Sequence, residues 1–329
     1  MAVGNGGYAS QLRQELRLCN RQYAAGRVHV ESYGRQPVIV YAPDGERHGN
    51  FFDKAYAAIS SRPELTQRLT KIHAQGARSL PRHEAGRNWC ELDSSTSSDA
   101  LLMNIFCTPG VTDSTIVQRA LGVANDASPV FGWKARVPLR NGRLDRTEVD
   151  MQWGGLLVEA KLTESDFQTR SAAIVESYRD FDEVFDRDFL PRVKLRTLRR
   201  KGAIELPEEF SQECDEPWDG NSDARAAVAM AYQTEIAARA AAQQPTEPGY
   251  AGYQLIRNVL AAYATGSSFC VLHDQRRPDL SEAWFQVMAA VRSAEMRVRC
   301  KVLTWQELAS LLPAPLQIFL ERKYGIVGA

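Results

Sequence analysis

The sequence predicts an α/β protein whose mixed sheet joins an antiparallel meander to a βαβ unit, is flanked by helices and carries a helical insertion around residues 186–249. Two stretches of alternating residues meet at Gly154-Gly155, a pair suited to a hairpin turn, and a helix, strand, helix, strand succession follows the Gln243-Gln244-Pro245-Thr246-Glu247-Pro248-Gly249 break. Composition agrees, since 329 residues with 44% hydrophobic and 24% charged side chains are enough for one large core or two smaller ones.

Residues 1–85 form an N-terminal mixed region to which the sequence assigns no role, and residues 86–329 form the core with its insertion. In the first region 37–41 reads as a short strand, and 52–59 and 64–73 read as helices. A helix over 99–106 is capped by the preceding serines and closed by Pro109-Gly110. Residues 132–139, 146–153 and 156–163 then alternate as strands, joined by Arg140-Asn141-Gly142 and Gly154-Gly155. Phe167, Ile174, Tyr178, Phe181 and Phe185 recur at helical spacing, which predicts one long helix over 166–185 covering a sheet face. An alanine-rich helical segment lies at 223–242. Beyond the break come a helix at 250–265 stopped by Gly266, a strand at 267–272, a helix at 280–295 and a strand at 298–303. Thr304-Trp305-Gln306-Glu307 has capping-box spacing and opens a further helix.

Several function classes are disfavoured. No basic stretch leads into an apolar run of signal-peptide type, and no window approaches the ~18–20 apolar residues of a membrane span, so a cytoplasmic protein is expected. Six scattered cysteines without a C-x-x-C pair read as reduced, mostly buried thiols. His73, His83 and Cys90 fit no common zinc spacing. Net charge is zero, from 40 basic and 40 acidic residues, so affinity for nucleic acid has to come from a local patch. The run from Arg192 through Lys194 and Arg196 to Lys201 holds six basic residues and no acid, and is the candidate for phosphate contacts. A solvated face balanced by the neighbouring acids explains that run equally well.

The chemistry concentrates in the second hairpin. A two-residue loop at Gly154-Gly155 sets Trp153 opposite Leu156, Met151 opposite Val158 and Val149 opposite Ala160 on an apolar face. On the charged face Asp150 then meets Glu159, and Glu148 meets Lys161. Directly opposed Cβ atoms lie about 5 Å apart, so two carboxylates would share one gap. A divalent cation relieves their repulsion, and Mg²⁺ is commonly held by one or two carboxylates while it keeps several waters. Phosphodiester hydrolysis uses such an ion to activate water and offset developing charge. Lysine is the exceptional cation here, eight residues against 32 arginines, and only Lys161 and Lys323 have an acid two positions earlier. Lys323 belongs to a segment that reads helical. A lysine whose pKa is lowered can give up its proton, which arginine cannot.

Asp150-x8-Glu159-Ala160-Lys161 on a hairpin resembles the PD-(D/E)XK nuclease signature, with Val149 in place of the proline. With Ser97-Ser98-Asp99-Ala100-Leu101, the 158–167 segment and Tyr253-Gln254-Leu255-Ile256-Arg257-Asn258, the chain is similar from about residue 85 onward to a family of bacterial restriction endonucleases. That resemblance implies a restriction-endonuclease-like fold and a Mg²⁺-dependent DNA endonuclease, with Mn²⁺ also supporting activity, acting in restriction or phage defence. Asp150 and Glu159 would bind metal and Lys161 would assist the water. A further acid on the first core helix is implied, with Glu91 and Asp99 both candidates. Gln254, Arg257 and Asn258 share a helical face. By resemblance Gln254 contacts the water, the metal shell or the phosphate, and Arg257 joins the nucleic-acid contacts; an ordinary exposed face is the alternative. DNA is the implied partner, with a homodimer as the candidate assembly and no membrane. The alternatives are a catalytically silent binding module of the same fold and an RNA nuclease.

Overall fold

The computed structural model describes residues 6–33, 37–72, 89–124, 127–196 and 246–328. His73, His83, Cys214, residues 197–201 of the basic run and the alanine-rich segment lie outside the described residues. Strands are numbered in chain order: β1 (His29–Glu31), β2 (Ile39–Tyr41), β3 (Pro43–Asp44), β4 (Arg47–His48), β5 (Val130–Lys134), β6 (Val137–Pro138), β7 (Leu144–Asp145), β8 (Glu148–Trp153), β9 (Leu156–Ala160), β10 (Thr169–Ser171), β11 (Arg192–Arg196), β12 (Thr246–Ala251), β13 (Ser268–His273) and β14 (Cys300–Thr304). The N-terminal half supplies helices α1 (Gly6–Tyr23), α2 (Asp53–Ser60), α3 (Pro63–Leu69) and α4 (Ser98–Phe106).

The central sheet has the order β14-β13-β9-β8-β5, with β5, β8 and β9 antiparallel and β9, β13 and β14 parallel. It is a mixed sheet in an α/β protein, joining a meander to a βαβ unit as the sequence pattern predicts. Local chemistry places several boundaries. Ser97 Oγ accepts the Ala100 N–H and caps α4, Thr304 and Glu307 form a reciprocal capping box for the Trp305–Ala309 helix, and Gly266 ends the Tyr253–Thr265 helix in the left-handed region.

Both sheet faces are covered. Val158, Ala160, Cys270 and Leu272 pack with Leu12 and Leu16 of α1, with Leu101 and Ile105 of α4 and with Trp305. On the other face Leu157, Phe269 and Val271 pack with Leu255 and Val259 of the Tyr253–Thr265 helix, with Phe181 and with Trp284. Each fully buried valine, leucine, isoleucine or phenylalanine among them contributes roughly 1.5–3 kcal/mol over its exposed state. The N-terminal region therefore shares its core with the strands that carry the acids.

Five expectations change, one of them in the βαβ unit, where the helix expected over 280–295 is two, Pro278–Ala289 and Ala294–Arg299, and the strand expected from 298 starts at Cys300. The 166–185 segment is not a long helix: Asp166 Oδ1 accepts the Gln168 N–H, Gln168 takes φ 59°, and β10 pairs with β12. Two single turns, Ala172–Val175 and Phe181–Val184, are the only helix left there. Phe167, Tyr178, Phe181 and Phe185 are still buried, but through irregular packing, and Ile174 is exposed. The 132–139 strand is two pieces, interrupted where Arg136 takes φ 53°. The proline-rich break carries β12, which pairs with β10 and β11 in a separate three-stranded sheet. Finally, Val149 does not pack with Met151. Met151 lies in the first core and Val149 in the second, with Leu157.

Candidate active site

The hairpin turn keeps its expected register: Trp153 pairs with Leu156, Gln152 with Leu157 and Met151 with Val158, and Gly154 sits in the left-handed region at φ 56°. The backbone ladder stops there. At the next step Asp150 Oδ2 accepts the Ala160 N–H at 2.7 Å, so a carboxylate takes the place of a ladder bond and the two strands part. On its other side β8 faces Gly132, which has φ 65° and lies between the Phe131–Met151 and Trp133–Val149 pairs, level with Asp150. With its ladder lost on one side and a left-handed residue on the other, β8 no longer holds strict alternation, which accounts for Val149.

Glu159 follows Val158 and is buried. Its Oε1 accepts from Lys161 Nζ at 2.5 Å and its Oε2 from Asn258 Nδ2 at 2.7 Å. Lys161 is also buried; its N–H donates to Leu272 O and its carbonyl accepts from Trp305 Nε1 at 2.9 Å, so β13 and the capped helix fix it from both sides. Its ammonium lies 5.8 Å from the Phe167 ring centroid. The expected opposition of Glu148 and Lys161 is not made, because Glu148 turns to Arg68 at 3.1 Å.

Electrostatics mark the cluster as short of positive charge around Asp150. Burial first, then the Glu159 and Asp99 carboxylates, push the Asp150 pKa well above the ordinary carboxylate range, against Lys161 and the Ala160 N–H. Burial opposes the Lys161 ammonium, but Glu159, Glu164 and Asp150 outweigh it and raise its pKa above the usual lysine value. A lysine lowered towards neutrality, as the sequence reading allows, is therefore not what this arrangement provides: surrounded by carboxylates, Lys161 is a charged donor.

Asp99, in the first turn of α4, is the acid that acts on Asp150, and burial raises its pKa while Arg68 and Lys71 oppose. Glu91 is held by Lys71 at 3.0 Å and reaches the cluster through Asp99. Sequence reasoning left those two acids unresolved and missed the parts played by Glu164, Arg68 and Gly132. Glu164 accepts from Ser98 Oγ at 2.6 Å and from the Leu162 N–H at 2.7 Å, tying α4 to the segment just after β9. Arg68, just before the end of α3, reaches Asp99 at 2.7 Å. Gly132 makes room for it, since a Cβ there would stand 2.1 Å from Arg68 Nη1. Asn258, not Gln254, touches Glu159.

Arg257 is 2% exposed and faces inward: it bonds Asp145, the Thr147 and Glu148 carbonyls and Asn258 Oδ1. It positions Asn258, and through it Glu159, and is not open to a nucleic acid as expected. Gln254 is partly exposed and its N–H donates to Phe167 O. Arg192 and Lys194 are exposed on β11, with Arg192 3.1 Å from Asp188; Arg196 ends that strand. Lys323 is fully buried in the C-terminal helix that the sequence pattern predicts for it, bonded to Asn20 and near the Tyr324 ring. Cys90, Cys107 and Cys270 are buried and Cys19 and Cys300 are partly so.

The donors suit a hard cation: carboxylate oxygens, no thiolate and no imidazole. No group of three or more His, Cys, Asp or Glu is placed to hold a metal among the described residues. Asp150 and Glu159 would thus share an ion with waters and substrate oxygens, as Mg²⁺ allows.

The fold and cluster define an α/β protein with a carboxylate and lysine site at the parting of two antiparallel strands. The chain belongs to the family described as Restriction Endonuclease associating with ARP, whose model matches residues 17–325 and so takes in most of the N-terminal region. That family suggests nuclease function and interaction with DNA. No curated protein and no solved structure matches the chain. No helix among the described residues is long and apolar enough to cross a membrane.

Proposed function

We propose that the chain is a Mg²⁺-dependent endodeoxyribonuclease of the PD-(D/E)XK class, with a restriction-endonuclease-like fold, acting in restriction or phage defence. The observation that carries this reading is the buried Glu159 carboxylate, bonded to Lys161, beside an Asp150 carboxylate that takes the Ala160 N–H where β8 and β9 part. When bound, the ion lowers the pKa of a water and offsets charge on the phosphate. Asp150 and Glu159 hold the ion. Lys161 donates to the attacking water from a fixed place, and Asn258 keeps Glu159 aimed. Gln254 borders the phosphate, and Arg192, Lys194 and Arg196 contact the DNA backbone. The association with ARP in the family description extends to this chain on the same reading.

Incubation with duplex DNA, single-stranded DNA and RNA, in Mg²⁺, in Mn²⁺ and in chelator, tests the proposal. Duplex DNA is expected to be cut with either metal and left intact in chelator. Cutting in chelator, or no cutting of any DNA, overturns it; cleavage of RNA alone moves the site to the RNA-nuclease alternative.

A further inference from the structure

The proposed chemistry leaves most of the N-terminal region unused, yet α1 sends Arg13 and Arg17 into a cavity of ≈ 170 Å³ that Gln14, Ser95, Thr96 and the 37–39 backbone stretch also line. A water occupies about 30 Å³ of liquid, so the space holds a tetrahedral anion with part of its hydration. No carboxylate is among the lining residues. Arg17 Nε is buried without a hydrogen-bond partner, so this guanidinium is not saturated by groups of the chain. Arg13 spends one N–H on Thr163 O at 2.6 Å, which fixes its guanidinium and leaves other donors of the fork available. Arg17 Nη2 pairs with Glu31 at 3.6 Å, an acid that Arg21 also holds and that is not among the lining residues. Two guanidinium groups, an amide and two hydroxyls form a donor set matched to phosphate oxygens.

The cavity's position adds the second argument. Thr163 lies two residues beyond Lys161, and Ser95 and Thr96 lead directly into α4, whose Ser98 bonds Glu164 and whose Asp99 acts on Asp150. The cavity therefore adjoins the end of β9 from which the catalytic side chains project. We propose that it seats a backbone phosphate of the same nucleic-acid strand whose scissile phosphodiester lies at Asp150 and Glu159. This rests on the nuclease reading and gives the N-terminal region a role, holding the strand in register beside the site.

The test uses the full chain in chelator, where nothing is cut, comparing wild type with the Arg13→Gln/Arg17→Gln variant. Duplex affinity is measured against salt, and inorganic phosphate is titrated calorimetrically. Each neutralised phosphate contributes about 0.9 to the slope of log affinity on log salt, so the double variant's slope should fall by about one. Its phosphate heat should vanish while its melting temperature holds. An unchanged slope overturns the inference, and phosphate binding with an unchanged slope assigns the cavity to free phosphate instead. Should the double variant fail to fold, Arg17→Gln alone, which keeps the Arg13 bond to Thr163, reads the same slope. If wild type cuts DNA but the slopes agree, only the cavity proposal falls. If wild type cuts nothing and the slope still drops, the cavity stands and the nuclease reading falls.

Discussion

Asp150→Asn and Glu159→Ala are both expected to bring metal-dependent DNA cleavage to background, and to move thermal stability in opposite directions. Asp150 is pressed by burial and by two neighbouring carboxylates, so an amide that keeps an oxygen for the Ala160 N–H removes repulsion and loses no ladder substitute. In metal-free buffer its melting temperature should rise by a few degrees, since 1 kcal/mol is worth roughly 2–4 °C in a sizeable domain. Removing Glu159 does the reverse. Lys161 would be left as a buried cation without its bonded carboxylate, and Asn258 would lose its acceptor, a loss of about 3–5 kcal/mol. Calorimetry beside a cleavage assay checks both readouts. Equal shifts of the same sign, or residual cleavage in Asp150→Asn near the wild-type rate, would show that the two acids do not divide their roles as the geometry requires.

Lys161→Arg should bind duplex DNA in chelator like wild type and cut it about 10²–10³-fold more slowly under single turnover, the range over which one positioned hydrogen-bond donor contributes. Charge is preserved in this variant, and the charge is already set by the surrounding carboxylates. What changes is shape. A compact ammonium 2.5 Å from Glu159 Oε1 gives way to a larger planar fork in a buried place beside the Phe167 ring. Wild-type turnover in Lys161→Arg would make Lys161 a structural partner of Glu159 and nothing more.

Much of this was legible wherever one short stretch carries the signal. Gly154-Gly155 fixes the register that brings Asp150 and Glu159 to one step beyond the last paired residues, and Ser97, Thr304 and Gly266 end or begin their helices as their chemistry dictates. The parting of β8 from β9 was not legible, because it depends on Asp150 replacing a ladder bond and on Gly132 lying opposite, on a third strand. Nor was the loss of the 166–185 helix. Phe167, Tyr178, Phe181 and Phe185 do face one core, but a turn at Asp166 and pairing to a strand some 80 residues later decide the backbone. For Arg257 and Asn258 a signal existed and was read the wrong way. Two polar residues between Leu255, Ile256, Val259 and Leu260 leave a helix little exposed surface, so they were the ones to face the buried acid. Arg68 gave no such sign, since only folding brings α3 over Asp99.

The most direct test of the metal-dependent site is a crystal of the full chain soaked in Mn²⁺, with the anomalous difference map read around β8 and β9. The account predicts a peak within bonding distance of both Asp150 and Glu159 that disappears in Asp150→Asn. A peak elsewhere, or none while cleavage in Mn²⁺ persists, contradicts it.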